Sequence, residues 1–297
     1  MDKSRQSYIY AGLAILFWST VPTAFKICLK ELGILQMLTL ASLVSTVVLF
    51  IILAAGRKVK LLRESTGKEI LSSALLGLIN PFLYYLILLR AYQLLPAQVA
   101  QPLNMIWPII LVFLSVPLLG QKIGLKSYFA LFISFAGVFI ISSQGNLFGH
   151  MHADIRGVLL ATGSSVFWAF YFILNVRDKR EETIKLFLNF LFGTIYLVAA
   201  LLITGKWNIE GSSVKGIFSA VYIGIFEMGI TFWFWLKALQ MATSTDKVSN
   251  LVYIAPFLSL AFVHLILHEP VYYTTPAGLL LIISGIFVQN NKIRIGI

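Results

Sequence analysis

Ten runs of about 18 to 25 mostly apolar residues confine this chain to one class of folds. They lie at about 8–28, 33–55, 70–93, 96–118, 126–144, 156–176, 184–204, 214–237, 247–267 and 272–290. Each is long enough, at about 1.5 Å per residue, for a helix to cross the roughly 30 Å hydrocarbon core of a bilayer. Lipid offers no partner to a backbone N–H or C=O, so long apolar runs of this kind cross as helices with internal hydrogen bonds. The spacing therefore predicts an all-α integral membrane protein with ten transmembrane helices. Only 12% of its 297 residues are charged and 59% are hydrophobic, whereas soluble domains carry about 25% charged residues. A soluble fold is excluded.

The formal charge of +11 would suit nucleic acid, but its distribution argues for topology instead. With the N-terminus inside, 17 Lys and Arg residues fall on interior segments and six outside: Lys26, Lys30, Arg90, Arg156, Lys206 and Lys215. That excess follows the positive-inside rule and puts both termini in the cytoplasm, with no nucleic-acid partner. No small-residue cleavage pattern follows Trp18-Ser19-Thr20-Val21-Pro22, so the first run reads as a retained helix. A single cysteine, Cys28, cannot form an internal disulfide. His150-Met151-His152-Ala153-Asp154 holds potential metal ligands, but three within one loop read better as an exposed linker. No metal or cofactor is expected.

The second half of the chain echoes the first. Trp18 returns as Trp168 after 150 residues, and Ala91, Pro108, Gln121 and Gly137 return as Ala238, Pro256, Glu269 and Gly285 after 147 to 148. The repeats are expected at 1–145 and 156–290, with five helices each. Five is odd, so the second copy enters the membrane from the opposite side. Many secondary transporters use such inverted repeats, with a site near the midplane.

Polar residues at midspan depth mark the candidate site. Glu227 sits deepest, inside Phe226-Glu227-Met228-Gly229-Ile230-Thr231-Phe232-Trp233-Phe234-Trp235. An acid there costs several kcal/mol if it faces lipid, so such residues face an interior or a wet cavity and often mark ion or substrate paths. On one continuous helix Gly224, Glu227, Thr231 and Trp235 would share a face; a protonated, hydrogen-bonded structural Glu is the alternative. Asn80-Pro81, followed by Tyr84 and Tyr85, holds the equivalent place in the first half, and Asn80 is expected to approach Glu227. The fourth run carries Gln98, Gln101, Pro102, Asn104, Trp107 and Pro108, with Gln101, Asn104 and Pro108 on one face; these line a cavity or glue helices together. Ser164, Trp168, Tyr171 and Asn175 form a polar and aromatic stripe on the sixth run, and Asn250 and Tyr253 sit in the ninth. Ala130, Ser134, Gly137, Gly278 and Gly285 read as small packing residues on the fifth and tenth. His264, His268 and Glu269 suit an interfacial cap or a proton relay.

Phe17-Trp18-Ser19-Thr20, and the Pro108…Gly120-Gln121…Gly137 spacing repeated as Pro256…Glu269…Gly285, resemble the EamA-type branch of the drug/metabolite transporter superfamily. Asn104-Met105-Ile106-Trp107-Pro108 and Gly120-Gln121-Lys122 are similar to segments of bacterial inner-membrane aromatic-amino-acid exporters. The resemblance implies a bundle around a central cavity that exports amino acids or related metabolites across the inner membrane. It does not account for an acid at Glu227, which points to proton coupling or to a cationic group on the substrate.

The expected function is export of small metabolites, amino acids first, by alternating access, with protons as the candidate coupling ion. Trp18, Tyr84, Trp107, Trp168, Tyr171, Trp235 and Tyr253 would supply apolar walls. Asn80, Gln101, Asn104, Thr231 and Asn250 would supply hydrogen bonds, and Glu227 would carry the proton or neutralise an ammonium. An intramembrane enzyme would need a clustered nucleophile and base or midspan metal ligands, and the four His residues lie near helix ends. A non-transporting scaffold or accessory subunit would have no need of polar residues at this depth.

Overall fold

The computed structural model describes residues 3–120, 122, 124–147, 153–206, 213–242, 248 and 251–290. The described residues are all-helical, without strands. Helices occupy each of the ten apolar runs, and eight segments are long and apolar enough to cross a membrane; the last two, Leu251–Leu267 and Thr274–Val288, are shorter. The regular elements are α1 (Lys3–Glu31), α2 (Ile34–Ala55), α3 (Gly67–Gly77), α4 (Tyr84–Leu94), α5 (Ala97–Asn104), α6 (Trp107–Leu119) and α7 (Leu125–Ser142). They continue as α8 (Ile155–Arg177), α9 (Glu182–Ile203), α10 (Val214–Phe226), α11 (Ile230–Met241), α12 (Ala255–Leu267) and α13 (Thr274–Asn290). Local chemistry sets several ends. Thr66 and Glu69 form a capping box at the start of α3, and Ser213 caps α10 by accepting from the Gly216 N–H.

Two compact units share these helices. One comprises Met1–Phe82 and Arg180–His268, the other Leu83–Lys179 and Glu269–Ile297. Each thus draws on both halves of the chain.

In the first unit α1 packs on α10, α11 and α12, α2 packs on α9 and α10, and α3 packs on α9. Missing side chains allow the closest approaches. A Cβ at Gly77 in α3 would overlap the Asn189 carbonyl oxygen in α9, and a Cβ at Gly224 in α10 would overlap the Ala41 carbonyl oxygen in α2. Asn189 follows Ala41 by 148 residues and Gly224 follows Gly77 by 147, so the two contacts are counterparts.

In the second unit α8 packs on α4, α5 and α6, and α7 lies along α13. Gly137 of α7 faces the Gly278 backbone, while Gly285 of α13 faces Ala130 and Ser134, the small-residue packing expected from the sequence. The remaining face of α7 carries Tyr128, Phe129, Phe132, Phe135 and Phe139, all 50–76% exposed. In water such a ridge would be costly; against lipid tails it is not.

Candidate functional site

Three of the apolar runs are interrupted where polar residues lie. Asn80 has extended dihedrals (φ −142°, ψ 118°) between α3 and α4, and Leu78–Leu83 forms a π-helical turn. Pro81 has no N–H to offer the Gly77 carbonyl, which opens the helix there. Asn80 is 1% exposed and its Oδ1 has no hydrogen-bond partner among the described residues. The expected approach to Glu227 is therefore not made as a hydrogen bond to that oxygen.

Glu227 itself does not lie within a continuous helix, which corrects the sequence reading. Residues 227–229 form a turn between α10 and α11, and Gly229 has φ −115° and ψ −101°. A Cβ at Gly229 would sit 2.8 Å from the Ile225 carbonyl oxygen and 3.1 Å from Val48 Cγ1, so the turn tolerates no side chain. The Met228 carbonyl freed by the break accepts the Ser45 hydroxyl from α2 at 2.7 Å. The proposed common face is lost as a result. Gly224 packs on α2, whereas Thr231 and Trp235 belong to α11, which packs on α1. Thr231 is fully buried, and its hydroxyl has no hydrogen-bond partner among the described residues.

The third interruption is at Met105 and Ile106, between α5 and α6. Pro108 cannot donate to the Asn104 carbonyl four residues earlier, and the Ser165 hydroxyl donates to it instead at 2.9 Å. The Asn104 side chain is held on both sides. Its Oδ1 accepts from the Tyr84 hydroxyl at 3.2 Å and its Nδ2 donates to Ser164 Oγ at 2.7 Å. Aromatic rings continue from this network. Trp168 lies 5.0 Å from Tyr84, 5.8 Å from Tyr171 and 6.4 Å from Trp107 between ring centroids. The second unit thus brings Tyr84, Asn104, Trp107, Trp168 and Tyr171 together, and Gln101 lies buried one helical turn before Asn104.

In the first unit Trp18 packs against Trp235 at 5.5 Å and Phe232 at 5.8 Å. Lys237 Nζ sits 5.8 Å from the Trp233 ring, a cation–π contact. Tyr253 lies in the short 3-10 turn Leu251–Ile254 before α12, and Asn250 lies outside the described residues, as do Gln121 and His150 to His152. Among the described residues no group of three or more His, Cys, Asp or Glu could hold a metal ion.

A hydroxyl cluster escaped the sequence reading. Thr194 of α9 lies 2.7 Å from Ser42 Oγ and 2.9 Å from Thr46 Oγ1, both on α2. The 148-residue separation of Thr46 and Thr194 was the available signal. At the N-terminal end of α9, Lys58 pairs with Glu181 at 2.5 Å and Lys185 with Glu182 at 2.6 Å. Burial would push the Glu181 carboxyl up, but the Lys58 ammonium, the Ile184 N–H and the Thr183 hydroxyl together hold it below the ordinary carboxylate range.

These features define a multi-pass membrane protein whose apolar helices open around buried polar groups. The chain belongs to the EamA-like transporter family, whose profile matches residues 5–143 and again 155–290. It is 28% identical over 298 residues to the uncharacterized transporter YvbV of Bacillus subtilis, covering 98% of this chain and 93% of that one. It is 26% identical over 262 residues to the aromatic amino acid exporter YddG of Ancylobacter novellus, covering 86% and 87%. A crystal structure superposes with a TM-score of 0.65 over 97% of each chain at 20% identity, a likeness in fold alone.

Proposed function

We propose that this EamA-family transporter is a secondary exporter of small amphipathic metabolites, amino acids first among them, working by alternating access of two inverted five-helix repeats at 1–145 and 156–290. Ten helices cross the bacterial inner membrane in this reading, with both termini cytoplasmic. The basic residues crowding the interior segments support that orientation.

The observation that carries the reading is the pair of matched helix breaks, one at Asn80 and one at Glu227, which are 147 residues apart. Broken helices at equivalent depth in two copies are a feature of secondary-transporter sites, because the opened backbone can bind ions and solute. The neighbouring contacts match as well. Pro81 lies against Gly193, and its counterpart Met228 is held by Ser45, 148 residues before Gly193. Glu227 carries the proton in this reading. In the second unit Asn104 and Tyr84 supply polar contacts to the solute, and Trp107, Trp168 and Tyr171 supply apolar ones. The aromatic solute named for the Ancylobacter relative is a reasonable first member of the panel.

The test is uptake of a labelled amino-acid panel into proteoliposomes, with and without an imposed pH gradient, for the parent and Glu227→Gln. Gradient-driven transport that the variant loses supports the proton role. Transport indifferent to the gradient and kept by the variant makes the protein a facilitator and Glu227 structural.

A further inference from the structure

A second site lies in the first unit, where α1 and α12 end and α10 begin. Ile27, Lys30 and Glu31 of α1, Lys215 of α10, and Ile266, Leu267 and His268 at the end of α12 line an open pocket of about 280 Å³. That is just below the about 300–1,000 Å³ of small-molecule sites, room for a headgroup phosphate and not for a whole lipid. Two close contacts hold its walls. The Cys28 thiol donates to the Gly216 carbonyl at 3.4 Å, and a Cβ at Gly216 would lie 2.7 Å from Glu31 Cβ, so the end of α1 and the start of α10 are in close contact. His268, with φ 56°, terminates α12 with its N–H on the His264 carbonyl.

The charges in this pocket are not explained by pairing. Among the described residues, neither the Lys30 nor the Lys215 side chain makes a hydrogen bond or ion pair, although Glu31 lines the same pocket. Lys30, in the last turn of α1, is favoured by the helix dipole. Lys215 is not: it occupies the first turn of α10, the positive end, and that turn contains no acid. Two cations thus share a place where Lys215 opposes the helix dipole and one carboxylate, Glu31, balances only one of them.

We propose that this pocket binds the phosphodiester of an anionic phospholipid. Two lysines and one glutamate leave a formal charge of +1, which matches the single negative charge of a phosphodiester. The His268 ring adds an N–H donor. The ends of membrane-spanning helices lie at headgroup depth, and the apolar flank continues onto Ile266 and Leu265, 50% and 69% exposed, where acyl chains can lie. A soluble anion would gain nothing from that flank.

The test titrates the purified full-length protein with short-chain phosphatidylglycerol, short-chain phosphatidylcholine and inorganic phosphate, reading thermal stability. All substitutions are at exposed positions, so folding is preserved. Phosphatidylglycerol is expected to stabilise the parent at lower concentration than phosphatidylcholine. Lys30→Gln and Lys215→Gln each weaken it about fivefold, as expected for one lysine at a membrane surface, and the double variant binds both lipids alike. Glu31→Gln tightens phosphatidylglycerol, and Lys206→Gln, an exposed lysine outside the pocket, leaves it unchanged. Equal binding of the two lipids by the parent, a preference that survives in the double variant, or inorganic phosphate acting as well as phosphatidylglycerol would each overturn the proposal.

Discussion

Thr46 Oγ1 lies 2.9 Å from Thr194 Oγ1, and the two residues are 148 apart in the chain. That separation is the offset at which the halves echo each other, so a residue here touches its own counterpart. Two copies related by a two-fold axis, as in the inverted repeats proposed above, would meet in this way. The second unit has an equivalent pair in the Ser134 hydroxyl and the Ile282 carbonyl, also 148 apart. Both contacts are what inverted repeats would produce.

Thr194→Val keeps the shape of the side chain and removes the bonds to Ser42 and Thr46. Interhelical hydrogen bonds in membranes average about 0.6 kcal/mol, so a loss of about 1 kcal/mol is expected. A double-mutant cycle with Thr46→Val, read by reversible unfolding in micelles, should return a non-zero coupling energy for the pair.

Gly193→Ala puts a methyl where the Pro81 ring lies, in the contact that braces the Asn80 break. Overpacking of this kind costs about 1–3 kcal/mol. Gly163→Ala, in α8 with nothing within 4 Å of the new methyl, should gain up to about 1 kcal/mol from helix propensity. Opposite signs in the two melting temperatures check the assignment.

Asn104→Ala removes the bonds to the Tyr84 hydroxyl and to Ser164 of α8. The loss of two buried hydrogen bonds costs about 1–3 kcal/mol. In reconstituted vesicles KM is expected to rise more for Asn104→Ala than for Tyr84→Phe, which removes one bond and keeps the ring stack on Trp168.

The Glu181–Lys58 pair gives a pH dependence of known sign. Glu181 is held below its ordinary value, so its contribution is complete above about pH 4.3, the unfolded value, and fades as pH falls through the lower folded value. The pair is partly exposed, at 41% for Lys58 and 30% for Glu181, so its worth is about 0.5 kcal/mol. Lys58→Met should be less stable than the parent at pH 7, and the difference should shrink in acid.

The helices were legible because the bilayer leaves a chain few choices: an apolar run of about 20 residues satisfies its own backbone as a helix whatever surrounds it. Pro81 and Pro108 stand at two of the interruptions, where a missing N–H frees a carbonyl, yet Pro22 lies inside the unbroken α1, so proline alone does not locate a break. The break at Glu227 was not legible. No proline marks it, and Gly229 is required there by the closeness of Val48 in α2, a partner about 180 residues away in the chain. Chain order also concealed which aromatics meet. Trp18 and Trp168 occupy equivalent places, yet Trp18 packs on Trp235 and Trp168 on Tyr84 and Trp107.

The sequence by itself determined the membrane class, the helical segments and the family, because these follow from composition, run length and an offset that any reading of the letters exposes. The tertiary structure alone decided the rest. It opened α10 from α11, set Ser45 under the Met228 carbonyl, and drew Lys30, Lys215 and His268 to one pocket. The physical reason is that helix periodicity assigns a residue only to a face, while the neighbour that face meets is chosen by packing between segments far apart in the chain.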